Sequence, residues 1–438
     1  MIGQLTQRNR RRRRIRRLLL ALLLAALVLR VSMIRGWLRP LRIASASMAP
    51  ALRNRHYSLR CDDCDAPLTV DATTQKTGDL VACWNCGYRH SRIQPWHIRT
   101  GDRVWIDSFP YLWRRPRRWE VVAMGTTDGK YLTKRVLALP GEKLALVDGD
   151  VWIDGAIVRK SLAEFRRQRV LVHDSRFQPS LAGSPRRWRR DRDGRWRRIG
   201  LGWQIEQSAK ENSNVAWLEY RHLCEYADGS PPRKRDEEIP VLDLVAYNGS
   251  RTRAPLHAVP DLVLDAELHW SSDAVWLLRW RTSETVWSAR VDVAAQRLQI
   301  ERDGKIVLDQ AMGWRGSRRK MRRIEWGMWD RQLVLAVDGA VVARHELDSA
   351  TPIGSVSRSL AVGCRRGRLL VGRRRVYRDI YYFGPDGSTR RWSAPAPLAR
   401  LFLAGDNQPA SIDSRFGRGM GDHARLLGRV VRWYGAQP

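Results

Sequence analysis

The chain has 438 residues, enough for about two to three domains and a sizeable core. Its hydrophobic content of 43% excludes a wholly disordered protein. The net charge of +34 predicts attraction to anionic lipid or nucleic acid. Because the arginine clusters accompany no recognisable nucleic-acid fold, we expect solvated basic faces and no specific nucleic-acid partner.

The N-terminal segment predicts a basic cytoplasmic tail, 1–17, followed by a transmembrane anchor, 18–38. The tail holds eight arginines, and the uninterrupted apolar run 18–29 has only twelve residues. That run gives ~18 Å of helix against a hydrocarbon core of ~30 Å, so the anchor must extend to Trp37 to reach across. The positive-inside rule then predicts a single pass through the inner membrane, with the remainder of the chain on the outer face. The alternative is a cleavable signal peptide cut after Ala44-Ser45-Ala46.

Ser47 and Lys134 are the candidate nucleophile and base. Ser47 lies in the run 43–50, just after the anchor, and Lys134 begins the run 134–142. A serine nucleophile needs a base, and a lysine kept neutral by burial can replace histidine. The apolar neighbours Val136, Leu137 and Leu139 predict the desolvation that would lower the pKa of this lysine from ~10.4 toward neutrality.

Four cysteines lie in two Cys-x-x-Cys pairs between these two runs. Eighteen residues separate the pairs, a spacing typical of a four-thiolate zinc site. We therefore predict a zinc ribbon over 56–96 with one structural Zn²⁺; two disulfides are the alternative, since an outer-face location is oxidising. The predicted ligands are Cys61, Cys64, Cys83 and Cys86.

The long region after Lys134 divides by composition. Residues 161–239 are rich in arginine and tryptophan, whereas 240–398 show short alternating segments with Asp-Gly turns, the pattern of a β-sandwich. The run 325–339 is weakly similar to laminin-G or concanavalin-like sandwiches. Such a sandwich could bind a glycan or a protein, but we expect most of its aromatic residues to pack the core.

Four sequence boxes together resemble bacterial type I signal peptidases, the Ser-Lys proteases that remove signal peptides from exported preproteins. They are 45–50 around the nucleophile, 101–107 beginning Gly-Asp, 134–142 around the lysine, and 405–415 with the pattern Gly-Asp-Asn…Ser-x-Asp-Ser-Arg. One box alone would be weak evidence, but all four occur in the family's order. The resemblance implies a mainly β, signal-peptidase-type catalytic core formed by 39–55, 97–160 and 399–438, into which the zinc ribbon and the β-sandwich are inserted.

The same resemblance implies roles for further residues. Ser45 and the backbone N–H of Ser47 would form the oxyanion hole, Ser411 would orient Lys134, and the pair Asp413 and Arg415 would support the site. The chain departs from the family at a few positions, among them Gln408, which replaces an arginine. Any role of that arginine is therefore in doubt.

The sequence accordingly predicts a membrane-bound serine endopeptidase that cleaves signal peptides at small-residue sites and needs no cofactor for its chemistry. The alternative is a non-catalytic envelope-binding protein that uses the zinc ribbon and the sandwich. A soluble nucleic-acid-binding protein and a repressor-type Ser-Lys autoprotease are less consistent with the run 18–29 and the box at 405.

Overall fold

The computed structural model describes residues 2–34, 36–126, 129–191, 195–208, 214–224, 234–249, 255–313, 320–349, 351–389, 391–394, 400–416 and 425–432. These residues are mainly β, as predicted. The helices and strands as far as the Cys-x-x-Cys region are α1 Ile2–Ile34, β1 Leu38–Arg42, β2 His56–Arg60, β3 Pro67–Asp71, β4 Leu80–Val81, β5 Ser91–Arg92 and β6 Ile98–Arg99.

The next elements follow in chain order. They are β7 Arg103–Asp107, β8 Val121–Gly125, β9 Tyr131–Ala138, β10 Leu144–Val147, β11 Asp150–Ile153, β12 Ala156–Ile157, α2 Leu162–Gln168, β13 Val170–Asp174, β14 Trp188–Arg190, β15 Arg197–Ile199, β16 Gly202–Gln207 and β17 Ala216–Tyr220.

The remaining strands complete the fold. They are β18 Leu262–Trp270, β19 Val275–Arg281, β20 Val286–Asp292, β21 Arg297–Arg302, β22 Lys305–Ala311, β23 Arg322–Trp329, β24 Gln332–Val337, β25 Ala340–Glu346, β26 Leu360–Arg378, β27 Trp392–Ser393, β28 Phe402–Ala404 and β29 Arg425–Arg432.

The first sheet joins the sequence boxes. Its order is β1-β7-β29-β8-β9-β28. Strands β9 and β28 pair antiparallel, with Ala404 opposite Arg135. This register carries the chain from β28 into the loop at Gly405 beside Lys134, so residues almost three hundred positions apart in sequence meet at one end of the sheet.

The large insert forms two sheets that share β26. The first part of β26 pairs with β17 and β19, and the later part pairs with β13, β16 and β18. Gly367, at φ +78°, lies between the two parts. Strands β13, β16 and β17 of 161–239 thus pair with the same strand as β18 and β19, and the two predicted portions of the insert share one core.

The alternating segments predicted in 240–398 form strands β18 to β25. Asp303-Gly304 and Asp338-Gly339 form the turns of the β21–β22 and β24–β25 hairpins, with positive φ at all four residues. The insert's large aromatic residues pack inward, as expected. The fully buried tryptophans are Trp196, Trp276, Trp280, Trp287, Trp326 and Trp329.

The predicted membrane anchor is the part of the sequence analysis that the structure does not support. Helix α1 runs without a break through both the predicted tail and the leucine-rich run, and it ends at Ile34. No helix among the described residues has both the length and the apolar content that a bilayer crossing requires. The physical reason is local: Arg17 and Arg30 bound an apolar run of twelve residues, and Trp37 lies beyond the helix.

Candidate active site and cysteine cluster

Ser47 lies in a 3-10 helix, Ala46–Met48, in the connection that follows β1. It is buried, whereas Ser45 just before it is exposed. The two hydroxyl oxygens, Ser45 Oγ and Ser47 Oγ, are 3.1 Å apart and share a hydrogen bond. A donor at Ser45 is therefore placed next to the oxygen that would attack a substrate carbonyl.

Lys134 lies on β9 with its side chain enclosed. It is 2% exposed, and its neighbours Val136 and Leu137 are fully buried. Burial disfavours the charged ammonium and lowers the pKa of Lys134 to about 8. Its Nζ donates a 2.7 Å hydrogen bond to Ser411 Oγ, so the serine that the resemblance assigned to this lysine does contact it.

Gly405 allows the turn that contains Ser47 to lie close to Ser411, the residue that contacts Lys134. A Cβ at this position would clash with both the Ser47 carbonyl oxygen and the Ser411 hydroxyl. Only a glycine thus permits the close approach. No hydrogen bond joins Ser47 Oγ to Lys134 Nζ among the described residues, and catalytic contacts of this kind often tighten only when substrate binds.

Asp413 and Arg415 form a fully buried ion pair behind Ser411. Arg415 Nε donates to Asp413 Oδ1 at 2.8 Å, and the backbone N–H of Gly405 donates to Asp413 Oδ2 at 3.1 Å. Burial alone would raise the pKa of Asp413, but the hydrogen bonds and charge of Arg415 outweigh burial and hold that pKa below its ordinary value. Arg415 Nη2 also donates to the carbonyl oxygens of Gln408 and Ser411, so the pair binds the backbone of the loop that carries Ser411.

The sequence analysis missed two polar contacts at the site. The first is a buried ion pair: Arg135 Nε and Nη2 donate to the two carboxylate oxygens of Asp406 at 2.7 and 2.6 Å. Both residues lie inside the recognised boxes, next to Lys134 and Gly405, so the boxes were the available signal. The second involves Asn407, whose backbone N–H donates to Ser47 O at 3.0 Å.

Gln408, the departure from the family pattern, is buried in the last box. Its Nε2 donates to the carbonyl oxygen of Gly405 at 2.5 Å, whereas its Oε1 accepts no hydrogen bond from any residue that the structure describes. A glutamine here supports the loop backbone without contributing a positive charge.

The four predicted cysteine ligands converge at one point. Their sulfur atoms all lie within 4.8 Å of one another, and the Sγ–Sγ distances are 3.6 Å for Cys61–Cys86 and for Cys64–Cys83. Each thiol is free, so the alternative of two disulfides does not describe this structure. The cysteine pairs lie in the turns that follow β2 and β4, and Gly87 adopts φ +74° just after the second pair.

This donor set fits a zinc ion. Tetrahedral Zn²⁺ with Zn–S bonds of ~2.3 Å requires sulfurs about 3.8 Å apart, close to the separations found. The backbone N–H of Asn85 donates to Cys83 Sγ at 3.3 Å, which would stabilise a thiolate. With four sulfurs the ligand shell would be complete, so a metal here would be structural.

Comparison with protein families gives one match. Residues 95–191 match the family described as "Signal peptidase, peptidase S26". The matched segment contains Lys134 but covers less than half of the chain. It supports the resemblance to signal peptidases and, through that family, a serine peptidase. No curated protein matches the chain in sequence.

Several solved structures resemble part of the chain at low similarity. A carbohydrate-binding module CBM66 from Bacillus subtilis is 10% identical over 42% of this chain and 92% of its own, with a TM-score of 0.27. The galectin LEC-6 of Caenorhabditis elegans is 16% identical over 26% and 81%, with a TM-score of 0.22. A native glycosidic hydrolase is 8% identical over 48% and 94%, with a TM-score of 0.29. Scores this low carry no argument about ligand or activity.

Proposed function

We propose that the chain is a serine endopeptidase of the signal-peptidase type, with Ser47 as nucleophile and Lys134 as general base. The observation that carries the proposal is the state of Lys134: a buried lysine with a pKa of about 8, hydrogen-bonded to Ser411. A lysine of this kind supplies a free amine near neutral pH, which an exposed lysine does not. The family match over 95–191 supports the same reaction class.

The proposed reaction proceeds in two halves. The Lys134 amine takes the proton of the Ser47 hydroxyl as Ser47 Oγ adds to the scissile carbonyl carbon. When the C–N bond breaks, the Lys134 ammonium gives that proton to the leaving amine, and the acyl group remains on Ser47. Lys134 then takes a proton from water as the water oxygen adds to the ester carbonyl carbon. When the bond to Ser47 Oγ breaks, the Lys134 ammonium returns that proton to Ser47 Oγ, the carboxylic acid product leaves and the free amine is restored.

Ser45 and Ser411 assist different atoms in this proposal. The Ser45 hydroxyl and the backbone N–H of Ser47 donate to the oxyanion, and losing one such donor typically costs ~100- to 1,000-fold in rate. Ser411 holds the Nζ of Lys134 through the 2.7 Å hydrogen bond. Asp413 and Arg415 support the loop of Ser411 without touching substrate.

The proposed substrates are signal peptides of exported preproteins, cleaved after small residues as the family resemblance implies. We further propose that the catalytic core acts at the outer face of the inner membrane, in contact with the lipid bilayer. The exposed leucines of α1 within 18–29, with arginines on either side, favour contact with anionic lipid. A structural zinc in the cysteine cluster and a glycan or protein ligand of the β-sandwich complete the proposal.

The deciding experiment is cleavage of a preprotein by the full chain in detergent, comparing wild type with Ser47→Ala and Lys134→Ala. Matched controls are Ser349→Ala and Lys143→Ala, which change the same residue types at exposed positions. We expect cleavage after a small residue by wild type and controls, and none by the two site variants while circular dichroism stays unchanged. Equal cleavage by all five proteins, or none by any, would contradict the proposal and favour the non-catalytic envelope-binding alternative.

A further inference from the structure

The insert reaches back to the nucleophile through one amide pair. Asn248, in the 3-10 helix Ala246–Asn248 of the insert, donates from Nδ2 to Asn407 Oδ1 at 2.9 Å. Asn407 donates in return from Nδ2 to Asn248 Oδ1 at 2.6 Å. The two side chains are 159 positions apart in sequence and form a reciprocal pair of hydrogen bonds.

Asn407 is the residue that holds the nucleophile turn. Its backbone N–H donates to Ser47 O at 3.0 Å, and its Nδ2 donates to Ala46 O, also at 3.0 Å. The side chain is fully buried. Two successive carbonyls of the turn that presents the Ser47 hydroxyl are thus bound by one asparagine.

The Asn407 amide is bound on two sides, by Ala46 and by Asn248. An amide carries two N–H donors on one atom and an acceptor oxygen on the other. In the observed orientation, Nδ2 satisfies Ala46 O and Asn248 Oδ1 together, while Oδ1 accepts from Asn248. Rotating the amide by half a turn would place its oxygen against Ala46 O, and both would be acceptors. Ala46 O thus requires the observed orientation, and the two hydrogen bonds with Asn248 hold the Asn407 amide in place against the nucleophile turn.

The same segment of the insert packs against the rest of the nucleophile loop. Val245 and Tyr247 are buried in one apolar cluster with Ala49. Tyr247 Oη donates to Asn54 Oδ1 at 2.5 Å. The segment 245–248 thus contacts the loop on both sides of Ser47, at Ala49 and, through Asn407, at Ala46.

We propose that Asn248 is a positioning residue for the nucleophile: by fixing the amide of Asn407, it sets the place of Ser47 and makes the insert part of the catalytic unit. This inference rests on the proposed peptidase activity. A displacement of about 1 Å at a reacting group can cost ~100-fold in rate. The effect should fall on kcat, because Asn248 acts on the placement of Ser47 and not on the recognition of the peptide.

The test compares Asn248→Ala, Asn248→Asp, Asn407→Ala and the double variant Asn248→Ala/Asn407→Ala in preprotein cleavage. Asn214→Ala, an exposed asparagine of the insert, is the matched control. We expect Asn248→Ala to lower kcat about 10- to 100-fold with KM near the wild-type value. The kcat of Asn248→Asp should lie between those of wild type and Asn248→Ala, because the carboxylate still accepts a hydrogen bond from Asn407 Nδ2 but cannot donate one to Asn407 Oδ1. The double variant should be no slower than Asn407→Ala.

Hydrogen exchange of the backbone amides in 43–52 provides a second readout that needs no activity. We expect faster exchange in Asn248→Ala than in wild type or Asn214→Ala. Unchanged exchange and kcat, or single effects that multiply in the double variant, would overturn the inference while leaving the peptidase proposal intact. Faster exchange in a chain that cleaves no preprotein would overturn the peptidase proposal and retain Asn248 as the residue that fixes the turn.

Discussion

Arg135 and Asp406 form a bidentate ion pair next to Lys134, with 4% and 3% of their side chains exposed. Arg135 is the residue after Lys134 on β9, and Asp406 follows Gly405. The guanidinium also donates to the Trp119 carbonyl at 2.7 Å. This pair joins strand β9, which carries Lys134, to the loop that carries Ser411. It gives a structural role to the arginine that follows Lys134 and to the aspartate that follows Gly405.

Removing one partner of this pair should destabilise the fold. In Asp406→Asn the buried guanidinium of Arg135 loses its counter-charge, and breaking a buried pair in this way typically costs ~3–5 kcal/mol. Urea unfolding measures the difference in the free energy of unfolding. The control is Asp107→Asn, whose partly exposed pair with Arg429 should contribute only ~0–1 kcal/mol. Equal losses in the two variants would show that burial of the Arg135 pair does not matter to stability.

Activity should depend on pH through Lys134. Burial lowers the pKa of Lys134 to about 8, and the base works only as the free amine. The value of kcat/KM should therefore rise about tenfold per pH unit below that pKa and level off above it. Steady-state cleavage at constant ionic strength gives the profile. A profile that is flat from mildly acidic to alkaline pH would exclude Lys134 as the base.

The cysteine cluster should bind one zinc ion per chain. We expect Cys64→Ser to lower the zinc content measured by atomic absorption and to expose 56–96 to limited proteolysis, because the ion would join the two cysteine turns of a small module. Cys364→Ser should retain the metal, since Cys364 is buried in the core of the insert and does not belong to the group of four sulfurs. A purified chain with no zinc and no free thiols in the module would instead support disulfides.

A buried acidic cluster should make stability fall as pH rises. Asp150, Asp261 and Asp330 place carboxylate oxygens within 4.8 Å of one another, where Lys160 Nζ contacts Asp330 Oδ1 at 2.5 Å. Burial is the main cause that raises the pKa of Asp261 to about 8 and that of Asp330 to about 6. The folded state therefore binds more protons than the unfolded state between the ordinary carboxyl pKa and about pH 8, and stability is lost across that interval.

Asp261→Asn tests this dependence. The amide stays neutral at every pH, so the variant should gain in Tm relative to wild type at about pH 9 and much less at about pH 5. The control is Asp236→Asn, at an exposed position, which should change Tm by the same amount at the two pH values. A gain for Asp261→Asn that is the same at both pH values would mean that the carboxyl does not titrate in this interval.

The chemistry of the site was more predictable than its assembly. Ser47, Lys134 and Ser411 could be named from the boxes because each box is local. Asn248 could not, because nothing in a lone asparagine of the insert indicates a partner 159 positions away. In the same way, burial of Arg135 and Asp406 depends on the β9–β28 register, which no sequence pattern encodes directly.

The insert shows the same limit. Strands such as β19 and β24 could be predicted from their short apolar runs, and the Asp338-Gly339 turn marks the end of β24. Strand β26 was missed because its arginines conceal the pattern. Arg374 is nevertheless 1% exposed and donates to the carbonyl oxygens of Gly372 at 2.8 Å and Leu201 at 2.9 Å, so a charged residue here serves as an internal bridge.

The position of β26 and β28 late in the chain has a consequence for biosynthesis. Both sheets of the insert depend on β26. The sheet of β17 and β19 cannot be completed before residue 366 has been synthesised, and the sheet of β13, β16 and β18 cannot be completed before residue 378. The sheet that carries Lys134 cannot be completed until β28 and β29 have been synthesised, and Ser411 lies between these two strands in sequence. Ser47 is among the earliest residues of the fold to be made, yet its surroundings are finished last. A nascent chain therefore contains Ser47 and Lys134 long before Ser411, the serine that contacts Lys134, has been synthesised.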